Sequence, residues 1–247
     1  MLQEISFIGF GNFGQFIVKH LTPFAKIYAH DTRDYRKNAS ELGVTWLETM
    51  EEALEKQVII LCVPVQHLES LLQNIGHKVK SGSLVIDVAS VKVKPVELMK
   101  KYLPNDVNIT AIHPLFGPQS GKNGIAGLNV VACEVRFDKF GSVVDFLSNK
   151  LKLNTLVRTP EVHDMQMAYV QALTHFVGRA VNEMDIPDVE QKTPAYQYLL
   201  DIKRNLGQDS WDLFLTIENE NPFAKKVRQD FLNELETLNK KLENTNS

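Results

Sequence analysis

Residues 5–21 set an apolar strand, Ile5-Ser6-Phe7-Ile8, directly against a glycine-spaced turn, Gly9-Phe10-Gly11-Asn12-Phe13-Gly14, and that turn against an amphipathic helix, Gln15 to Leu21. Few folds accommodate that order. The first glycine permits a tight turn, the second lets backbone approach a ligand closely, and the third lets the helix pack on the strand, while the helix N-terminus attracts an anion. The next strand, Lys26-Ile27-Tyr28-Ala29-His30, ends at Asp31, near the offset of about twenty residues where an acidic side chain accepts hydrogen bonds from a ribose. Together these features imply a dinucleotide site built from Gly9, Phe10, Gly11, Asn12, Phe13, Gly14, Asp31 and Thr32. A glycine turn in an unrelated α/β protein is the bland alternative, and strand, helix and Asp31 together weigh against it.

Asp31 would repel a 2′-phosphate, so it favours NAD over NADP. Arg33 and Arg36 follow on the next loop and helix, where either can turn toward a phosphate or simply be solvated, so NADP is not excluded. The Val63-Pro64 step closes the strand expected over Val58–Val63 at the sheet edge where such cofactors lie, although an ordinary loop proline explains it equally.

At 247 residues and 44% hydrophobic composition, the chain has ample material for packed cores. Its net charge of -3 comes from scattered charges of both signs, with no basic stripe for nucleic acid or an anionic membrane. A small-molecule ligand is expected. Met1 to Glu4 run straight into the first strand, no apolar run is long enough to span a bilayer, and a cytoplasmic location is the expectation. Cys62 and Cys133 sit in apolar runs and read as reduced core thiols. No metal site is expected, because the seven histidines show none of the spacings of zinc ligands.

Short β-rich runs alternate with helical stretches to about Arg158, the pattern of a Rossmann-type, mostly parallel sheet with crossover helices. The expected strands are Ile5–Gly9, Lys26–His30, Val58–Val63, Leu84–Asp87, Asn108–Ile112, Asn129–Ala132 and Asn154–Val157. Beyond Pro160 the pattern becomes all-helical, which divides the chain into residues 1–159 and 160–247. Glu161–Met184 reads as one helix with apolar residues on nearly every side, buried all round and needing a partner such as a second subunit. Helices over Pro194–Leu206, Ser210–Asn219 and Pro222–Leu242 follow, then a polar tail, Glu243–Ser247, expected to be disordered.

Two segments that follow later strands carry chemistry: Asp87-Val-Ala-Ser90-Val-Lys92, and His113-Pro-Leu-Phe-Gly117-Pro-Gln119-Ser-Gly-Lys-Asn-Gly124. The second reads as a shaped loop that starts on an imidazole at the cofactor edge, where a histidine can act as a general base near neutral pH. Ser90 is either a partner for that chemistry or a helix N-cap before Val91-Lys92.

The glycine motif, the Ser90-Val-Lys92 step, the histidine-proline loop and Asp209-Ser-Trp-Asp-Leu-Phe214 resemble the prephenate and arogenate dehydrogenases of tyrosine biosynthesis, most of all the plant type. The resemblance runs over nearly the whole chain and is most specific in the histidine-proline loop. It implies an oxidoreductase that oxidatively decarboxylates a cyclohexadienol with NAD or NADP, working as a homodimer through the C-terminal helices. His113 would be the catalytic base, and Ser90 would hydrogen-bond the reacting hydroxyl or orient the imidazole. His175 matches a second family histidine that lines the substrate pocket, and it shares a helical face with Gln171 and Arg179 through spacings of four. A structural role in the helix core is its alternative.

A dianionic substrate calls for cations. The bacterial members place an arginine shortly before the aromatic residue corresponding to Trp211; Arg204 fits with a small gap, and Arg179 and Lys203 are rivals. Gln119 stands where close relatives carry glutamate. Asp209 would pair with the amine of arogenate or cap the helix that starts at Ser210. Two other readings use the same cofactor fold: a related hydroxyacid or imine reductase, which needs a catalytic residue on the long helix, and a dinucleotide-sensing module without turnover.

Overall fold

The computed structural model describes residues 4–206 and 210–245. Two compact units divide the chain, one ending at His163 and the other beginning at Asp164.

The first unit runs β1 (Glu4–Ile8), α1 (Asn12–Leu21), β2 (Lys26–His30), α2 (Arg36–Glu41), β3 (Thr45–Trp46), α3 (Met50–Leu54), β4 (Val58–Leu61), α4 (Val65–Ile75), β5 (Leu84–Asp87), α5 (Val93–Tyr102), β6 (Asn108–Pro114), β7 (Asn129–Arg136), α6 (Phe140–Asp145) and β8 (Asn154–Val157). Its sheet has the order β3-β2-β1-β4-β5-β6-β7-β8, and every neighbouring pair is parallel except β6 with β7. This is the Rossmann-type arrangement, and its order reverses between β1 and β4, where open α/β sheets bind ligands beyond their strand ends. Both faces are covered. Phe7, Ile60 and Ile86 pack with Val18 of α1 and Val143 of α6 on one side. Ile59, Leu61 and Val85 pack with Leu68 of α4 and Met99 of α5 on the other. Strands buried on both faces read as unbroken apolar runs, which is why β4 shows no alternation.

Several boundaries differ from expectation. The two-residue strand β3 is an addition, too short to give a periodic signal. Gly9 falls outside β1 with φ of +95°, and β4 stops at Leu61. β6 continues through His113 to Pro114 because β7 runs antiparallel beside it and pairs His113 with Val131. His113 therefore belongs to a strand interior rather than to the start of a loop. Cys133 is buried, and both cysteines are free thiols.

The second unit takes over within α7 (Pro160–Met167) and continues through a π-helical turn, Ala168–Leu173, into α8 (Thr174–Glu183), then α9 (Pro194–Leu206), α10 (Trp211–Glu220) and α11 (Ala224–Thr245). Its core includes Ala172, Ile217 and Ala224. Gly178 brings α8 onto α9, since a Cβ there would lie 2.9 Å from Leu206. The expected uninterrupted helix over Glu161–Met184 is thus broken by the π turn. The chain alone does not cover the apolar residues of that helix: Met165, Tyr169 and Val170 are exposed, Val170 by 63%. The chain end is helical through Thr245 rather than disordered from Glu243, held by side-chain bonds such as Asn239 to Glu243 (2.9 Å) and Thr245 to the Lys241 carbonyl (2.9 Å). No described helix is long and apolar enough to cross a membrane.

Candidate active site

The parallel register aligns His30, Ile8, Leu61, Asp87 and Ala111 in one row across β2, β1, β4, β5 and β6. The residues just beyond that row form the carboxyl edge of the sheet. Asp31, Gly9, the Cys62-Val63-Pro64 step, the Val88–Ser90 segment and His113 all lie there, so the fold itself gathers segments far apart in sequence.

The glycine turn is held at two points. Gly9 N–H donates to the His30 carbonyl (2.9 Å), and Phe10 N–H donates to Asp31 Oδ2 (2.6 Å). The Phe10 ring is fully buried, edge-on to Tyr35 and Trp46, so its backbone rather than its ring faces the edge. The three glycines differ in what surrounds them. A Cβ on Gly9 would come within 2.3 Å of the Cys62 carbonyl oxygen, one on Gly14 within 3.2 Å of the Gly9 oxygen, and one on Gly11 would meet nothing within 4 Å. Gly9 is thus required by packing and Gly14 sits in a contact tighter than ordinary, whereas Gly11 borders open space at the N-cap of α1. That open cradle at a helix N-terminus, with a carboxylate at the end of β2, fits a dinucleotide pyrophosphate and ribose.

Asp31 also accepts from Arg33 N–H (2.8 Å), and Thr32 is exposed beside it. Arg36 is ion-paired with Asp34 and Glu48. Asn12 and Phe13 occupy the first turn of α1, and Pro64 is the N-cap of α4 next to half-buried Val63. Burial, together with the Asp87 and Asp31 carboxylates, pushes the Cys62 thiol up to about 12, so the cysteine under the glycine turn stays protonated and chemically quiet.

At the other end of the edge, a buried polar cluster surrounds His113. Lys92, with no exposed surface, is ion-paired with Asp87 and donates to the Ile112 carbonyl (2.9 Å). Asp87 also accepts from Ala89 N–H (3.1 Å), which holds the segment carrying Ser90 to the end of β5. His113 Nδ1 lies 2.8 Å from Nε2 of His163, and both rings are buried. Burial first, then His163 and the Lys92 ammonium, hold His113 well below the usual histidine range, so its imidazole is neutral at physiological pH. A neutral imidazole at the sheet edge can accept a proton.

His163, Lys92 and Asp87 were not among the site residues expected from sequence. His163 lies fifty positions from His113 with no motif around it, and in α7 it stands among other polar residues, Glu161, Asp164 and Gln166, so nothing local marked it out. Ser90 is half-buried and does not cap α5, because the helix begins at Val93 and Lys92 occupies the cap position. Gln119 is exposed on the 115–128 loop.

The remaining expected substrate residues belong to the second unit. His175 and Arg179 are half-buried on α8, and Arg179 stacks over the rings of Trp211 (5.1 Å) and Phe214 (5.2 Å). Gln171 lies within the π turn, so its step of four to His175 is wound differently from the α-helical step from His175 to Arg179. Arg204 is ion-paired with Asp201 and its side chain is 71% exposed. Lys203 is bonded to Asp185 and the Ile186 carbonyl. Asp209 lies outside the described residues. The cap of α10 is Ser210, whose hydroxyl accepts from Leu213 N–H (3.2 Å).

Comparison with known proteins gives a consistent result. Residues 14–130 match the family described as prephenate dehydrogenase, nucleotide-binding domain, and residues 180–247 match the TYRAAT1-like C-terminal domain. The chain is 32% identical to arogenate dehydrogenase 1, chloroplastic, of Arabidopsis thaliana, over 97% of its own length and 39% of that protein. It is 31% identical to arogenate dehydrogenase 2, chloroplastic, of the same plant, over 97% of its own length and 70% of that protein. Among solved structures it matches prephenate dehydrogenase from A. aeolicus in complex with hydroxyphenyl propionate and NAD+, with a TM-score of 0.79 at 20% identity, covering 99% of this chain and 92% of that one. Synechocystis arogenate dehydrogenase matches with a TM-score of 0.73 at 18% identity, covering 98% and 93%. The fold is thereby shared, and on the sequence likeness to the plant enzymes the chain belongs to the prephenate and arogenate dehydrogenase family.

Proposed function

We propose that this chain catalyses the NAD-linked oxidative decarboxylation of prephenate or arogenate, with His113 as the general base. The observation that carries this reading is a buried, neutral imidazole on the same sheet edge as an open glycine cradle. Bound NAD would supply the hydride acceptor. His113 takes the proton from the ring hydroxyl as hydride leaves the same carbon, and the loss of carbon dioxide with aromatisation draws the reaction forward. Ser90, on the neighbouring strand end, hydrogen-bonds the hydroxyl or the imidazole. Gly9, Phe10, Gly11, Asn12, Phe13 and Gly14 cradle the pyrophosphate, with Val63 and Pro64 flanking it, while Asp31 and Thr32 read the ribose and favour NAD. His175 and Arg179 are assigned to substrate binding by the family resemblance, and Arg204 contributes a cation only if it leaves Asp201.

The test is direct: pure protein is incubated with NAD and either cyclohexadienol, and NADH is followed by absorbance. The expected result is NADH formation that His113→Asn lowers by roughly two to four orders of magnitude with cofactor affinity nearly unchanged. No NADH with either compound, under conditions where NAD binds, overturns the reading.

The protein also acts as a homodimer in this reading. Leu235, Leu238 and Leu242 are exposed on α11 and follow Phe231 at spacings of four, three and four, an apolar seam of the kind that two helices bury together. Leu238→Glu should halve the molecular mass measured by light scattering; an unchanged mass would place the dimer contact elsewhere.

A further inference from the structure

We propose that His163 is a positioning residue: its Nε2 accepts the Nδ1 proton of His113, which fixes the tautomer of His113 and leaves the Nε2 lone pair as the base. The assignment of that lone pair to the reaction rests on the functional reading above. The tautomer itself is a property of the resting protein.

The geometry supplies the argument. His113 Nδ1 and His163 Nε2 are 2.8 Å apart, the rings are edge-on at 68°, and both side chains are buried. Imidazole nitrogens at that distance share one hydrogen, and it can sit on either nitrogen. With the hydrogen on His163, the other nitrogen of His113 carries its proton and cannot accept one. With the hydrogen on His113 Nδ1, Nε2 is free, and only this arrangement makes His113 a base. Lys92, on the segment before α5, opposes a charge on the ring, and it is itself paired with Asp87 at the end of β5. The cross-strand neighbour on β7 is Val131, and α7 contributes His163. No carboxylate therefore takes the place of His163 at Nδ1.

That choice of partner has a consequence for catalysis. A carboxylate at Nδ1 would favour imidazolium in the resting enzyme and fill the base with a proton in advance. An imidazole acceptor orients the ring without the negative charge of a carboxylate. As His113 gains the substrate proton, the Nδ1–H···Nε2 bond becomes charge-assisted and strengthens, so His163 contributes more in the transition state than at rest. No proton has to leave the pair during the step: one O–H bond to substrate breaks, and one N–H bond forms at His113 Nε2.

Two measurements test this. Protein labelled with 15N-histidine, with the rings assigned through His113→Asn and His163→Asn, reports each tautomer by long-range proton–nitrogen correlation at pH 7.5. His113 protonated at Nδ1 is the expected result; protonation at Nε2 overturns the proposal, whatever the substrate proves to be. In turnover, His163→Leu removes the acceptor and should lower kcat by about 100-fold with KM and NAD affinity within about threefold. His163→Asn, whose amide oxygen can accept, should recover part of that loss, and His163→Asp should move the acidic limb of the kcat profile to higher pH. Full activity in folded His163→Leu, or an unmoved limb in His163→Asp, overturns the role. If the leucine variant fails to fold, the asparagine and aspartate variants and the tautomer measurement still decide it. A parent protein that turns over neither cyclohexadienol overturns the functional reading, and the nitrogen spectrum then judges the tautomer alone.

Discussion

The Lys92 ammonium, with no exposed surface, donates to the carbonyl of Ile112, the residue before His113, while its charge is met by Asp87 two strand-end residues before Ala89. One side chain thus ties the ends of β5 and β6 together. Lys92→Met leaves the Asp87 carboxylate buried without its counter-charge, and removing one member of a buried pair costs about 3–5 kcal/mol. Urea unfolding should register a loss of that size, and the double variant with Asp87→Asn should regain much of it, because a neutral pair carries no orphan charge. A single variant as stable as the parent would show that the pair does not hold the edge.

His113 binds protons more weakly in the fold than in the unfolded chain, because burial and then the nearby His163 and Lys92 oppose its charged form. The stability this contributes is present above about pH 6.5, the range of an unperturbed histidine, and is lost as pH falls and the unfolded chain takes up the proton. Thermal unfolding temperature should therefore decline from pH 6.5 to pH 5, and His113→Asn should flatten the decline. The same depression puts the acidic limb of kcat below pH 6.5. A limb at or above that value would mean that another group limits the rate.

Gly9 and Gly11 look equivalent in the motif but should fail in different assays. Gly9 has φ of +95° and a Cβ there would strike the Cys62 carbonyl oxygen at 2.3 Å, so Gly9→Ala should cost more than about 2 kcal/mol of stability. Gly11 has no atom within 4 Å of its would-be Cβ, so Gly11→Ala should leave the melting temperature nearly unchanged. Its methyl group would instead occupy the cradle, and NAD affinity measured by calorimetry should drop by tenfold or more. Equal losses of stability in both variants would contradict this division.

How far the sequence was readable follows from what each feature depends on. The glycine turn, β2, β5, β8 and α9 were visible because local chemistry alone determines them. The placement of His113 inside β6 was not, since it depends on β7 running antiparallel alongside, a long-range pairing with no local mark. His163 escaped for the same reason: its importance lies in a contact across fifty residues. The break in the helix after Met167 was hidden because a π turn changes the winding without changing the composition. The apolar surface of that helix was legible as a pattern, but a pattern does not say whether the same chain covers it.

Asp31 serves two purposes that a substitution can separate. Its Oδ2 accepts from Phe10 N–H (2.6 Å) and its Oδ1 from Arg33 N–H (2.8 Å), so the carboxylate braces the glycine turn before any ribose arrives. Asp31→Ser removes the negative charge that repels a 2′-phosphate, and the ratio of NADP to NAD use, taken from kcat/KM with each cofactor, should rise. Hydrogen bonds to a charged group contribute roughly 1.5–3 kcal/mol, so NAD affinity should fall by about tenfold or more. Arg36 will not compensate readily, because Asp34 and Glu48 already hold its guanidinium. If the ratio stays fixed while NAD affinity falls, Asp31 braces the turn and another residue selects the cofactor; if neither changes, the carboxylate has no part in the site.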